Sequence, residues 1–325
     1  MKITDFEGGW NFGPKTFAEI TGRKRLWAGK NRAEDWVRIC NNRRPCPLCG
    51  ETNPRALFVA PGGAYERCSV CGMVYVPNVP TEADLENFYQ SAPEPQEWAA
   101  KIQDNKIEKT LDRRKFWWAL ERAGWTDPRA RRLLDIGCST GTLLEVAGDM
   151  RPEAEALVGV EPNPTARTKA RVASPDVLPR LDLVDGQFDI VVMWEVLEHV
   201  LDPRDMLEAA VHRLARHRGA TLMVCVPNIG SLAAKILHEK APMFGPGHLN
   251  MYSPDTLRSA ILDAMPGAKV TVTSIVSWSK EIRNWMNLLG PFDADDPQDL
   301  GEEFDPETIC KNNLEGYKLV AWARS

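Results

Sequence analysis

Six compact apolar runs punctuate the chain, at residues 132–137, 156–161, 188–194, 219–226, 269–276 and 317–323. Most are short and largely apolar, the pattern of a strand covered on both faces. Helix-length segments separate most of them, which predicts an α/β fold. One expected strand is faint, and either Arg171-Val172-Ala173 or Leu181-Asp182-Leu183 could supply it. Upstream, Trp98–Ala123 reads as an amphipathic helix carrying Ile102, Ile107, Leu111, Phe116, Trp117 and Leu120. Thr81-Glu82-Ala83-Asp84 resembles a cap and first turn leading into Leu85, Phe88 and Tyr89, before Pro93 and Pro95 interrupt. Tyr65, Met73, Val74 and Tyr75 alternate like short strands. Residues 1–44 have no clean period, and 277–315 read as a variable insertion before the last strand, with Trp278, Trp285 and Met286 followed by the acidic Asp293–Asp299 stretch.

The first run feeds directly into a tight turn, Leu133-Leu134-Asp135-Ile136-Gly137-Cys138-Ser139-Thr140-Gly141-Thr142. Gly137 and Gly141 let the backbone approach a ligand where a Cβ would collide, and the helix that opens next offers unpaired N–H groups. A dinucleotide fingerprint would be G-x-G-x-x-G, but Ser139 and Thr142 stand at its second and third glycines. Asp135 would repel a pyrophosphate and suits a ligand with an ammonium group. The second run ends in Glu161, twenty residues past Gly141, where a doubly wound sheet places the carboxylate that holds ribose hydroxyls. Asp135, the glycine turn and Glu161 together fit S-adenosylmethionine better than NAD.

These residues, together with Phe188-Asp189-Ile190-Val191-Val192-Met193-Trp194-Glu195-Val196-Leu197-Glu198-His199, resemble the class I S-adenosylmethionine-dependent methyltransferases. Ser139 departs from the glycine that many relatives carry there. The resemblance implies a Rossmann-like sheet of seven strands, mostly parallel with the last antiparallel, and ligands at the carboxyl ends of the strands. The cofactor set it implies is Asp135, Gly137, Cys138, Ser139, Gly141, Glu161, Trp194 and Glu195.

Cysteine spacing adds a second site. Cys46-Pro47-Leu48-Cys49-Gly50 and Cys68-Ser69-Val70-Cys71-Gly72 are C-x-x-C-G knuckles separated by eighteen residues. Each aims two thiolates at one ion, so Cys46, Cys49, Cys68 and Cys71 predict a closed, structural Zn²⁺ site. Cys40 has no partner at knuckle spacing, and Cys138, Cys225 and Cys310 read as small apolar residues. The chain then divides into a basic and aromatic arm (1–44), a zinc ribbon (45–78), a helical cover (79–130) and a methyltransferase domain (131–325) with the 277–315 insertion.

The acceptor side is less determined. Glu195, Glu198 and His199 stand at i, i+3 and i+4, so on a helix they would share one face. The E-x-x-E-H pattern resembles that of metal-dependent O-methyltransferases acting on small-RNA ribose and on quinone precursors, with His248 of Gly247-His248-Leu249-Asn250 as a further ligand. Glu195, Glu198, His199 and His248 are therefore a candidate second divalent site, for Mg²⁺ or another ion. The same E-V-L-E-H-V also occurs in many relatives that need no metal, where it caps the helix and lines the cofactor pocket. His248, in the Phe244-Gly245-Pro246-Gly247 loop, and secondarily His199 are the candidate general bases. His212, His217 and His238 are assigned no role.

The net charge of −5 favours neither nucleic acid nor an anionic membrane, although Arg23, Lys24, Arg25, Lys30, Arg32, Arg38, Arg43 and Arg44 cluster in the arm. No apolar run reaches membrane-spanning length and Met1-Lys2-Ile3-Thr4-Asp5 opens no secretory leader, which predicts a cytoplasmic protein. The reading is a methyltransferase for a small polar metabolite, O-directed and acting on a sugar, a nucleotide-linked sugar or a glycan. RNA methylation through the ribbon and arm, C- or N-methylation of a nucleotide-linked sugar, and a non-catalytic scaffold remain alternatives.

Overall fold

The computed structural model describes residues 36–91, 106–275 and 314–325. Most of the N-terminal arm, the first part of the Trp98–Ala123 helix, nearly all of the 277–315 insertion and Cys310 lie outside the described residues.

The apolar runs form one seven-stranded sheet. Its strands are β6 (Arg132–Ile136), β7 (Ala156–Val160), β8 (Val177–Leu178), β9 (Ile190–Trp194), β10 (Thr221–Pro227), β12 (Lys269–Ile275) and β13 (Lys318–Arg324), in the spatial order β12-β13-β10-β9-β6-β7-β8. Strands β8, β7, β6, β9 and β10 run parallel, while β13 is antiparallel to both β10 and β12. The expected sheet is present, but neither candidate for the faint strand is correct. Val177–Leu178 takes that place, and Leu181–Leu183 is a single 3₁₀ turn. A two-residue edge strand carries too little periodic signal to stand out.

Both faces of the central strands are covered, as their apolar runs require. Leu134, Ile136, Val191, Met193, Leu222 and Val224 point into one core with Leu207 of α5 (Pro203–His212) and Leu257 and Ile261 of α7 (Pro254–Ala264). Their neighbours Leu133, Ile190, Val192, Met223 and Cys225 point the other way. They meet Leu120 of α2 (Lys106–Ala123) and Leu143, Leu144 and Ala147 of α3 (Thr142–Met150). Trp322 of β13 joins this second core, and its indole N–H donates to the Ala119 carbonyl of α2 at 3.1 Å. The described residues also include the helices α1 (Glu82–Ser91), α4 (Pro164–Ala170) and α6 (Leu232–Leu237).

The cysteine ribbon has its own sheet, in the order β11-β4-β3-β2. Strands β2 (Arg55–Ala60), β3 (Gly63–Arg67) and β4 (Val74–Tyr75) come from the ribbon, whereas β11 (Asn250–Met251) comes from the far end of the methyltransferase segment. The expected alternation is present with both faces buried. Met73 and Tyr75 enter the core of the large sheet, while Tyr65, Val74 and Val76 pack with Leu237, Phe244 and Leu249. The short strands β1 (Asn42–Arg43) and β5 (Asn78–Val79) pair at its border. Two members of the basic cluster lie here. Arg43 stays exposed and pairs with Glu66 at the surface, whereas Arg44 turns inward against backbone carbonyls and is no solvated cation waiting for phosphate.

Candidate active site

The glycine turn follows β6 at the centre of the sheet. Gly137 and Gly141 hold φ of 76° and 87°, and Ser139 holds 48°. A Cβ on Gly137 would lie 2.5 Å from Val196 Cγ2, and one on Gly141 would lie 2.9 Å from the Ala170 backbone. Both positions therefore exclude side chains by contact as well as by torsion. Ser139 tolerates the left-handed region because its N–H donates to Glu161 Oε2 at 2.9 Å. The other Glu161 oxygen accepts the Asn163 N–H at 2.7 Å, and Asn163 in turn caps α4.

Asp135 is 2% exposed, and burial, with Glu161's charge in support, pushes its carboxyl well above the usual range. Burial also raises Glu161, against the pull of its two backbone donors. Two buried acids beside open first-turn amides make a pocket that favours an ammonium and neighbouring hydroxyls. Cys138 turns its thiol inward beneath Gly159, and Trp194 stacks edge-on against Phe116 at 5.0 Å.

On the acceptor side the helical reading of Glu195–His199 fails. Residues 195–199 form a bend and a turn, and α5 begins only at Pro203, capped by Asp202. Glu195 has φ 57°, which breaks the helical period at its first member. Its carboxylate swings to Lys318 of β13, with Oε2 2.8 Å from Nζ. Burial would raise Glu195, but the Lys318 ammonium outweighs it and holds the carboxylate below its usual value. Burial would likewise lower Lys318, and Glu195 reverses the sign. Glu195 thus leaves the expected four-residue set.

The other three members converge. Ligand atoms of Glu198, His199 and His248 all lie within 4.8 Å of one another. The His199 ring meets the His248 ring edge-on at 4.6 Å. His199 Nδ1 lies 3.0 Å from the Gly247 carbonyl and 2.8 Å from Tyr89 Oη. A carbonyl can only accept, so Nδ1 carries the proton and Nε2 keeps its lone pair. His248 follows the same logic, with Nδ1 2.7 Å from the Met243 carbonyl. Burial holds His199 down at about 3 and also lowers His248, so both rings are neutral at working pH. Glu198 is fully buried, and neither carboxylate oxygen accepts a hydrogen bond among the described residues. Burial, then the charge of Glu195, pushes its carboxyl well above the usual range. With Glu198 ionised, three acceptors lie together with no donor between them, and a divalent cation fits that donor set.

A methyltransferase-domain family matches residues 96–264, just over half of the chain. The chain belongs to this methyltransferase family. Among curated proteins, a ubiquinone biosynthesis O-methyltransferase of Pseudomonas aeruginosa is 30% identical over 117 residues, covering 31% of this chain and 49% of that protein. The namesake enzyme of Ruegeria pomeroyi is 36% identical over 101 residues, covering 29% and 40%. The chain thus spans about half the length, or less, of the curated relatives it matches. Among solved structures, the plantazolicin methyltransferase BamL, bound to a desmethylPZN analogue and SAH, superposes with a TM-score of 0.50. It is 13% identical and covers 74% of this chain and 94% of that one, a likeness of fold.

The methyltransferase chain carries its second ligand set in the ribbon. Cys46, Cys49, Cys68 and Cys71 place their sulfurs within 4.8 Å of one another. The closest pairs, Cys46–Cys71 and Cys49–Cys68, are 3.5 and 3.4 Å apart. Sulfurs bound to one tetrahedral ion at about 2.3 Å would sit ~3.8 Å apart, so the set needs only slight expansion. No helix among the described residues is long and apolar enough to cross a membrane. Sequence reasoning missed Lys318, since only the topology of β13 brings it beside Glu195. It also placed Tyr89 on a cover helix without foreseeing that its hydroxyl reaches His199. Metal analysis of protein prepared without chelator is expected to find about one zinc per chain at the four thiols, and Cys68→Ser should lower the melting temperature. A wild-type chain free of metal would refute the thiolate site.

Proposed function

We propose that this chain is an S-adenosylmethionine-dependent methyltransferase that methylates a hydroxyl of a small polar metabolite, with a sugar or nucleotide-linked sugar as the substrate class. The observation that carries the reading is the contact of Val196 with Gly137, which sets the acid-led glycine turn beside the Glu198–His199–His248 cluster. The relatives' being O-methyltransferases supports an oxygen acceptor, and the SAH bound to BamL supports this cofactor. The partly exposed Glu195–Lys318 pair beside the cluster suits a polar acceptor. A nucleic-acid substrate draws no support, because the net charge is −5 and Arg44 is engaged by carbonyls within the protein.

In this reading Asp135 holds the methionine ammonium and becomes ionised when that charge arrives, and Glu161 accepts the ribose hydroxyls. The protein aligns an acceptor oxygen with the methyl carbon. As the new O–CH₃ bond forms, the C–S bond breaks and its electron pair returns to sulfur. The hydroxyl proton must leave. Burial keeps His248 neutral, so its Nε2 can take that proton if it is not bound to an ion. Glu198, His199 and His248 would instead hold a divalent ion, whose chemistry is to lower the pKa of a bound hydroxyl. The three bare acceptors favour the second arrangement. Two imidazoles and one carboxylate suit Mn²⁺, Fe²⁺ or Zn²⁺ better than Mg²⁺, which prefers oxygen ligands. The ribbon thiolates hold structural zinc.

Two experiments test this. Glu161→Ala should weaken S-adenosylmethionine binding by about 1–3 kcal/mol in calorimetry, and unchanged affinity would sink the cofactor assignment. With labelled methyl donor and a panel of nucleotide-sugar acceptors, His248→Ala should cut turnover by about 10²–10⁴ and leave cofactor affinity nearly unchanged. In the wild type a chelator should abolish turnover and Mn²⁺ should restore it. Full activity of His248→Ala with chelator present would remove both the base and the ion.

A further inference from the structure

The ribbon was expected as a separate module, yet its sheet is completed by a strand that starts two residues after His248. Asn250 pairs with Tyr75 and Met251 with Val74. Tyr65, 1% exposed, donates its hydroxyl to the His248 carbonyl at 3.0 Å. The Gly62 N–H donates to the Phe244 carbonyl at 3.0 Å, and a Cβ on Gly62 would fall 2.4 Å from the Gly245 oxygen. The ribbon backbone is therefore pressed against the loop that carries His248.

Arg44, two residues before the first knuckle cysteine, ties the same ribbon to the Glu198 turn. Its guanidinium donates to the carbonyls of Val76, Leu201 and Leu249 and, at 2.8 Å, to Asn250 Oδ1. Asn250 then donates its amide to the Leu197 and Val200 carbonyls, both at 2.8 Å, bracketing Glu198 and His199. The Leu249 and Asn250 N–H groups meet on the Glu198 carbonyl at 2.6 and 3.2 Å. From the second side, Arg204 donates to the carbonyl of Leu48, inside the first knuckle. The bonds of Glu161 run instead to Ser139 and Asn163, away from the ribbon.

We propose that the cysteine ribbon is the positioning wall of the acceptor site: the ion held by its four thiolates fixes, through Arg44, Tyr65 and the β4–β11 pairing, the backbone that aims Glu198, His199 and His248. Arg44, Tyr65 and Asn250 are positioning residues, acting on the ligand atoms through the main chain that carries them. Loss of the ribbon ion loosens residues 197–201 and 243–251 while the cofactor turn at 135–141 keeps its shape. The inference rests on the proposed acceptor role of the Glu198–His199–His248 cluster, but its structural half stands without that role.

The test uses the full chain as wild type, Cys49→Ser, Tyr65→Phe and Gly62→Ala, with three readouts. Hydrogen exchange should speed up at least about tenfold at the Leu249 and Asn250 amides when the ribbon loses its ion in Cys49→Ser. Mn²⁺ binding, read by the paramagnetic resonance signal of the free ion, should weaken by about 10–100-fold. S-adenosylmethionine affinity by calorimetry should be unchanged within error. Tyr65→Phe and Gly62→Ala should keep the ribbon zinc and move exchange and Mn²⁺ affinity in the same direction by smaller factors. They decide the matter if Cys49→Ser does not fold. Unchanged exchange at Leu249 and Asn250 after zinc loss would overturn the proposal, as would cofactor affinity falling in step with Mn²⁺ affinity. If the wild type binds no Mn²⁺, the ion reading fails, and the exchange readout alone still decides whether the ribbon positions the loop.

Discussion

A carboxylate buried with no hydrogen-bond donor is the constraint around which this site is organised. Glu198 is fully buried and its two oxygens accept nothing among the described residues. An ionised carboxylate left in that state would cost several kcal/mol, so it must hold a proton or meet a cation. The neighbours do not relieve it. Backbone carbonyls bind Nδ1 of both His199 and His248 and so turn two further lone pairs toward the same point. Lys318, the nearby ammonium that could have neutralised Glu198, is committed to Glu195. A protein that spends two carbonyls and a lysine in this way maintains a pocket of matched acceptors, which is the arrangement a divalent ion rewards.

That pocket acquires meaning from its place in the sheet. Val196 packs on Gly137, so the acceptors and the glycine turn share the carboxyl end of the central strands. The two halves are held by different parts of the chain. Asp135, Glu161 and the turn rest on β6, β7 and the cap of α4, while the Glu198 turn and the His248 loop are laced together by Asn250 and backed by the ribbon. Such a division lets the cofactor half stay constant while the acceptor half is shaped by added elements.

Much of this was legible in the chain itself. Largely apolar runs located six strands to within two residues or so, because burial on both faces of the central ones leaves few polar interruptions. Knuckle spacing brought four cysteines together, and Gly137 and Gly141 stand where a Cβ would collide, with left-handed torsions as well. The failures have physical causes. Val177–Leu178 is too short to show a period. Glu195–His199 has helical spacing in sequence, but a positive φ at Glu195 ends the helix before it starts. Arg44 looked like one cation of a solvated cluster, because nothing local reveals that the carbonyls of Val76, Leu201 and Leu249 converge on its guanidinium. Lys318 and β11 became visible only when the chain closed on itself.

The central claim is that the acceptor cluster and the cofactor turn form one reaction centre. Crystals grown with S-adenosylhomocysteine and Mn²⁺ test it most directly, with diffraction measured on both sides of the manganese edge. The account predicts the homocysteine amino group at Asp135, the ribose at Glu161, and one anomalous peak among Glu198, His199 and His248 with the cofactor sulfur facing it. Cofactor bound elsewhere, or bound at Asp135 with its sulfur turned away from those three residues, would contradict it.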